Sequence, residues 1–220
     1  MNTKQTIAII GATGNMGSAI ARSLLKGNYR LLLIGKDKSK TDALLQQIKQ
    51  EDASADVEDV ACSVEASWEA DIIVSAVPYE AEKEMAEKIR EMANQKIVIS
   101  IANPLNSSYN GMVTAPDSSA AEELQKLLPH SKVIKAFNTT FAADFSSPVI
   151  DGKIVDAFIA GNDEDALANV SELVSTAGFN PIVAGDLSVS RTLENMQLLL
   201  IQLGMKYNYN WLAGWKILHN

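Results

Sequence analysis

A glycine-rich turn near the start of the chain constrains the fold more than any other feature of the sequence. Residues 11–17 read Gly-Ala-Thr-Gly-Asn-Met-Gly. They follow a short apolar, β-branched run at residues 6–10 and open a stretch of helical periodicity at residues 15–26. A turn between strand and helix needs glycine for a tight bend, for close approach of a pyrophosphate and for close helix-on-strand packing. We therefore expect the helix N-terminus here to bind the phosphates of a dinucleotide.

Apolar runs and amphipathic stretches alternate along the rest of the chain, which predicts a parallel sheet covered by helices on both faces. The further predicted strands are 29–34, 72–77, 96–101, 132–137, 157–160 and 181–184. The further predicted helices are 41–50, 80–92, 119–128, 164–177 and 189–206. We predict an α/β fold: a Rossmann-type doubly wound parallel sheet over residues 1–187, with a short helical C-terminal extension over residues 188–220.

Composition excludes several classes of function. The formal net charge is −8 over 220 residues, without a basic stripe that could hold nucleic acid or anionic lipid. Cys62 is the only cysteine, which excludes an intrachain disulfide and suits a reducing compartment, where it is expected as a small buried side chain. The most apolar run, residues 198–205, is far shorter than a membrane span. We expect a soluble, cytoplasmic protein without a metal site.

The residues after the second predicted strand bear on the choice between NADP and NAD. An acidic residue at this position binds the 2′-hydroxyl of the adenine ribose, whereas basic residues accept a 2′-phosphate. Lys36 and Lys38 favour NADP(H), and Asp37 between them favours NAD. The sequence leans towards NADP(H) and leaves both open.

Five stretches of the chain, taken together, resemble one family. They are residues 11–17, 75–80 (Ser-Ala-Val-Pro-Tyr-Glu), 133–139 (Val-Ile-Lys-Ala-Phe-Asn-Thr), 158–163 (Phe-Ile-Ala-Gly-Asn-Asp) and 185–194, which includes Gly-Asp-Leu, Ser190, Arg191, Leu193 and Glu194. The chain resembles the NADPH:F420 oxidoreductases, which pass hydride between NADP and a deazaflavin coenzyme. It is also similar to the cytosolic oxidoreductase domain of the six-transmembrane epithelial antigen metalloreductases.

The turn, the second strand and the resemblance together give a set of expected cofactor-binding residues. The set is Gly11, Thr13, Gly14, Asn15, Met16, Gly17, Lys36, Lys38, Val77, Pro78, Asn103 and Pro104. The resemblance places Phe137 and Asn138 on the substrate side, near the nicotinamide. Two positions depart from the family pattern: Lys36-Asp37 replaces its usual Ser-Arg, and archaeal members have a histidine at the position of Asn138.

The resemblance implies an NADPH-dependent oxidoreductase with a flavin or deazaflavin as its small-molecule redox acceptor. Hydride transfer between two stacked rings needs no acid or base, so no catalytic side chain is expected, and His130 and His219 are expected on the surface. Tyr79 and Lys83 match a Tyr-x-x-x-Lys pair by coincidence. The alternatives are a non-catalytic NADP(H) sensor and a dehydrogenase of a small carbonyl or imine.

The C-terminal region leaves three questions open. The aromatic residues Tyr207, Tyr209, Trp211 and Trp215 suit a core, a homodimer contact or a cover for the acceptor site. The sequence does not decide whether Arg191 and Glu194 form a simple surface pair, or whether the long irregular loop at residues 103–116 closes over the site. A homodimer is the expected assembly.

Overall fold

The computed structural model describes residues 4–219, and a single large sheet organises them. The strands of this sheet are β1 (Gln5–Ile10), β2 (Tyr29–Ile34), β3 (Val57–Asp59), β4 (Ile72–Ser75), β5 (Ile97–Ser100), β6 (Lys132–Lys135), β9 (Asp156–Gly161) and β10 (Asn180–Gly185). Two further strands, β7 (Val149–Ile150) and β8 (Lys153–Ile154), form a separate antiparallel hairpin. The helices are α1 (Asn15–Leu24), α2 (Lys38–Glu51), α3 (Ser63–Glu69), α4 (Tyr79–Ile89), α5 (Ala120–Leu127), α6 (Glu164–Thr176) and α7 (Ser190–Tyr207).

The strand order of the sheet is β10-β9-β6-β5-β4-β1-β2-β3. Neighbouring strands run parallel except at the junction of β6 and β9, which is antiparallel. The chain moves outward from β1 to β3 and then returns to β4 on the other side of β1. Ligands in such sheets bind beyond the carboxyl ends of the strands at this reversal. The predicted Rossmann-type fold is confirmed, and the turn at residues 11–17 lies at the expected edge.

Alternating side chains of the strands build two cores. Ile7 and Ile9 of β1 lie in the core beneath α1, α2 and α6, whereas Ala8 and Ile10 face the core beneath α3, α4 and α5. Both sets are almost fully buried, as expected for a sheet covered on both faces. The two cores hold the carboxyl edge of the sheet as a rigid platform.

Strand β3 and helix α3 are among the elements that were not predicted from the sequence, as are the short strands β7 and β8. Strand β3 has only three residues, Val-Glu-Asp, and pairs with the outer side of β2. Helix α3 has seven residues and buries only Ala66 and Ser67. Both are too short and too polar to give a periodic apolar signal. Cys62, expected to be buried, is half-buried before α3.

The C-terminal extension consists of α7 and a non-helical segment, residues 208–219, which we call the C-terminal strap. Asn208 ends α7 in the left-handed conformation, with φ 55°. The strap then returns to the sheet, where the Asp156 amide donates to the Trp215 carbonyl oxygen at 2.9 Å. The Asp156 carboxylate accepts from the Ile217 amide at 2.6 Å and from Lys216 at 2.7 Å. Over residues 4–219, no helix is both long and apolar enough to cross a membrane.

Candidate functional site

The glycine turn leaves no room for side chains where it crosses the edge of the sheet. Gly11 has φ +90°, and a Cβ there would lie 2.4 Å from the Ala76 carbonyl oxygen. A Cβ on Gly17 would lie 2.3 Å from the Gly11 carbonyl oxygen. The Gly11 amide donates to the Ile34 carbonyl oxygen at 2.8 Å, which holds the turn against the end of β2. The turn is therefore packed closely against the ends of β1, β2 and β4.

The first turn of α1 has no side-chain cap. Its N-cap residue is Gly14, and the turn contains no acidic residue. By contrast, α2 and α6 are capped by the carboxylates of Asp37 and Asp163. Gly14 and Asn15 are exposed, whereas Thr13 and Met16 are half-buried beside them. Uncapped amides with the positive end of a helix dipole form a site for an anion such as a phosphate, and the bare glycine turn fits a pyrophosphate.

A cavity of about 280 Å³ opens beside the turn, between the end of β2 and α4. Gly11 and Val77 form part of its wall, and Lys36 and Lys88 contribute two ammonium groups. Glu84 also lines the cavity, and its Oε1 lies 2.6 Å from the Lys88 Nζ. Lys88 was not identified from the sequence, because it lies on α4, far along the chain from the second strand. Only the fold brings it beside Lys36.

Asp37 and Lys38 are both engaged in local contacts. The Asp37 Oδ1 accepts from the amides of Ser39 and Lys40 and from the Ser39 hydroxyl, at 3.0, 3.3 and 2.7 Å. These hydrogen bonds lower the pKa of Asp37. The Lys38 Nζ lies 2.7 Å from Asp59 and 3.0 Å from Asp42, and these carboxylates raise its pKa. Of the three residues after the second strand, Lys36 is the one that lines the cavity.

A pair of amides joins the loops that follow β5 and β6. The Asn103 Nδ2 donates to the Asn138 carbonyl oxygen at 3.0 Å, and the Asn138 Nδ2 donates to the Asn103 Oδ1 at 2.9 Å. Asn138 is almost fully buried, and its Oδ1 has no hydrogen-bond partner among the described residues. This acceptor is available to a donor that the protein itself does not supply.

Phe137 lies in the core rather than on the surface of the site. Its ring is fully buried and packs on Phe145, with centroids 5.7 Å apart. Its backbone has φ +60°, a left-handed conformation that is uncommon for an aromatic residue. The backbone of Phe137 thus turns the chain sharply, directly before Asn138. Pro104 follows Asn103 and is buried.

Three charged side chains lie almost completely buried at the same edge of the sheet. Lys135, Glu194 and Glu82 are 0%, 1% and 3% exposed, and we call them the buried charge cluster. Burial raises the pKa of the Glu82 carboxyl to about 7, against the lowering effects of Lys135 and of a hydrogen bond from Ser75. Arg191 and Glu194 do not form a surface pair: Arg191 binds Glu122 at 2.8 Å, and Glu194 binds Lys135 at 2.6 Å. Each of the two side chains has its partner on an element other than α7.

Other sequence expectations can be placed as well. His130 and His219 are exposed, as predicted. The Tyr79 hydroxyl donates to Glu123 at 2.5 Å. The loop at residues 103–116 contacts α7, where the Gln202 Nε2 donates to the Tyr109 carbonyl oxygen at 3.0 Å. Within residues 4–219, no group of three or more His, Cys, Asp or Glu side chains is arranged to hold a metal ion.

Comparisons with known proteins agree with this geometry. Residues 6–104 match the family model described as NADP oxidoreductase, coenzyme F420-dependent. The F420-dependent NADP reductase of Methanocaldococcus jannaschii is 32% identical over 213 residues, covering 91% of this chain and 93% of that protein. Metalloreductase STEAP3 of Rattus norvegicus is 25% identical, over 89% of this chain but only 37% of that protein. A crystal structure from Arthrobacter sp. FB24, provisionally assigned as an F420-dependent NADP-reductase, has 25% identity and a TM-score of 0.84, covering 98% of this chain and 100% of that one.

Proposed function

The chain belongs to the F420-dependent NADP oxidoreductase family, and on that premise we propose that it transfers hydride between NADP(H) and a flavin or a deazaflavin of the F420 type. The observation that carries the proposal is the uncapped start of α1 behind the bare glycine turn. This is a pyrophosphate site at the reversal of strand order. It explains how a protein with net charge −8 holds an anionic cofactor.

Each part of the cofactor has a matching group of residues along the edge of the sheet. Residues 13–17 would hold the pyrophosphate through backbone amides, and the cavity that contains Lys36 and Val77 would take the adenosine. On the other side of β1, beyond the ends of β5 and β6, Asn103 and Asn138 would border the nicotinamide. The unpartnered Asn138 Oδ1 suits an amide donor such as the carboxamide of that ring. The bound dinucleotide supplies the hydride, and the protein positions it and excludes water.

We further propose that Lys36 and Lys88, rather than Lys38, bind the 2′-phosphate of NADP(H). Lys36 follows β2 and Lys88 lies on α4, and both line the same cavity. Lys88 shares its charge with Glu84, so Lys36 contributes the larger part. A phosphate at Lys38 would have to compete with Asp42 and Asp59. Asp37 caps α2 and is not oriented as the acid of an NAD site, which supports NADP(H) over NAD.

The cofactor assignment is tested by titrating the protein with NADPH and NADH. The wild type should bind NADPH at least about tenfold more tightly, a difference of about 1.4 kcal/mol. Lys36→Ala should erase most of this preference and Lys88→Ala part of it. Lys38→Ala is the matched control and should leave the preference within about twofold. Equal binding of NADH by the wild type would refute the assignment. If only Lys38→Ala lost the preference for NADPH, the 2′-phosphate would be bound at Lys38 instead.

The acceptor is tested by following the oxidation of NADPH at saturating concentration with F420, FMN, FAD or a ferric chelate. A flavin or deazaflavin should support turnover, without dependence on an ionisable side chain as proton donor. Tight NADPH binding without turnover on all four would contradict the proposed reaction and favour a sensor.

We propose a homodimer as the state in solution. Exposed apolar side chains on α7 and the C-terminal strap support this, including Met205, Tyr207, Trp211 and Leu212. Sedimentation velocity measures the mass directly, and a monomer at micromolar concentration would refute the proposal.

A further inference from the structure

The buried charge cluster lies where three neighbouring strands end in register. Ser75 of β4 pairs with Ser100 of β5, and Ser100 pairs with Lys135 of β6. Because alternate residues of a strand share a face, all three point to the side covered by α4 and α5. A row of polar side chains therefore lies directly below the edge that carries the candidate site.

Lys135 connects this row to two other parts of the protein. Its Nζ donates to the Ala102 carbonyl oxygen and lies 2.6 Å from the Glu194 Oε1 on α7. The other carboxylate oxygen of Glu194 accepts from the Ala120 amide, at the start of α5, at 3.2 Å. One ammonium group thus joins β6, α7 and the loop that follows β5. Such a buried pair is fully hydrogen-bonded in only one arrangement, so it specifies the positions of all three.

Ala102 is adjacent to Asn103, whose amide pairs with Asn138. Lys135 is also two residues before Phe137 in the same chain segment, where the backbone turns with φ +60°. Both halves of the amide pair are therefore attached to Lys135, one through the Ala102 carbonyl and one through the backbone. A shift of the ammonium would move Asn103 relative to Asn138.

We propose that Lys135, held by Glu194 of α7, is a positioning residue that sets the Asn103–Asn138 pair for the nicotinamide half of the cofactor. The inference rests on the proposed function, since it assumes a dinucleotide at this edge. Lys135 is completely buried, so it would touch neither cofactor nor acceptor itself. The adenine half would not depend on it, because that half would lie at the glycine turn and Lys36.

Two probes separate positioning from general structural support: NADPH, and 2′,5′-ADP, which lacks the nicotinamide half. In Lys135→Met, the dissociation constant of NADPH should rise about tenfold, while that of 2′,5′-ADP stays within about twofold. Lys132→Met is the matched control on the same strand. Lys132 forms a partly exposed pair with Asp163 at 2.9 Å, and its replacement should leave both constants unchanged.

A second variant covers the case in which an unpaired Glu194 prevents folding. Lys135→Met combined with Glu194→Gln removes both charges of the Lys135–Glu194 pair, so thermal stability should recover relative to Lys135→Met. The weakened NADPH binding should persist, because the Ala102 carbonyl still lacks its donor.

Three results would overturn the inference. They are wild-type NADPH affinity in Lys135→Met, equal weakening of both probes, and recovery of NADPH affinity together with stability in the double variant. Failure of the proposed function is a different result: the wild type would then bind neither probe.

Discussion

Gly17 shows at the scale of one residue how the turn excludes side chains. Its missing Cβ would lie 2.3 Å from a backbone oxygen, which no side-chain rearrangement can relieve. Gly17→Ala should therefore displace the turn and weaken NADPH binding by at least about 100-fold, with a loss of stability of about 1–3 kcal/mol. NADPH titration and urea denaturation measure the two effects.

Gly204 is the matched control for that variant. A Cβ there meets nothing within 4 Å, and the residue lies inside α7. Gly204→Ala should bind NADPH normally and gain about 0.5–1 kcal/mol from helix propensity. Normal NADPH binding by Gly17→Ala would show that the turn does not take part in cofactor binding.

Glu82 is the residue from which a pH dependence of stability is expected. Its pKa is about 7 in the folded protein, because burial disfavours the charged form, and about 4.5 in the unfolded chain. The folded state therefore binds more protons between these values. The free energy of unfolding should fall by about 3 kcal/mol as the pH rises from 4.5 through 7.

Glu82→Gln keeps the shape of the protonated side chain and cannot ionise. It should match the wild type at pH 5 and exceed its stability at pH 8. The comparison must be made as a difference between the two proteins, because burial also raises the pKa of Asp144, to about 6. Parallel pH profiles of the two proteins would show that Glu82 does not titrate in this range.

At the scale of elements, the segment between β2 and α2 contains Asp37, whose interpreted role differs between the sequence and the structure. Read along the sequence, Asp37 lies between Lys36 and Lys38 and favours NAD over NADP. In the structure its carboxylate caps α2. As the N-cap residue of α2, Asp37 accepts hydrogen bonds from the amides of the first helical turn, so its carboxylate is already engaged.

Asp37→Ala should accordingly lower Tm by about 2–4 °C and leave the ratio of NADPH to NADH affinity unchanged. Asp42→Ala, which removes an acidic side chain from the exposed surface of the same helix, should change Tm by less than about 1 °C. Thermal melts followed by circular dichroism give the first comparison and cofactor titrations the second. If Asp37→Ala gained affinity for NADH or changed the ratio of NADPH to NADH affinity, Asp37 would be shown to set the cofactor specificity.

At the scale of the whole molecule, the C-terminal strap ties α7 back to the sheet. Trp215 packs against two apolar clusters, one with Phe141 and Ile201 and one with Phe158 and Leu193. Nearby, Trp211 meets Phe141 edge to face at a centroid distance of 5.5 Å. The strap is thus fixed to α7, to β9 and to Phe141 after β6.

Trp215→Ala should destabilise the protein by about 2–3 kcal/mol, because it opens space in both clusters. Trp215→Phe should cost less than about 1 kcal/mol, since it keeps a ring and removes a buried Nε1 that has no partner. Trp68→Ala is the control: this side chain is 70% exposed, and its loss should stay within about 0.5 kcal/mol. Denaturation followed by circular dichroism compares all three, and equal stability of Trp215→Ala and Trp68→Ala would show that the strap is not anchored there.

The sequence by itself determined the turn, the long strands and helices, and the fold class. These follow from local causes: glycine where a side chain cannot fit, and apolar periodicity in segments long enough to show it. The same local reasoning missed β3 and α3, which are short and polar and are held by their neighbours.

Only the tertiary structure decided which distant residues meet. Lys36 after β2 and Lys88 on α4 line the same cavity, and Glu194 of α7 binds Lys135 of β6. The sequence left open whether Arg191 and Glu194 form a surface pair, and in the structure each binds a partner on another element. A buried charge is stable only with a partner at hydrogen-bond distance, and that distance is set by the packing of elements far apart in sequence.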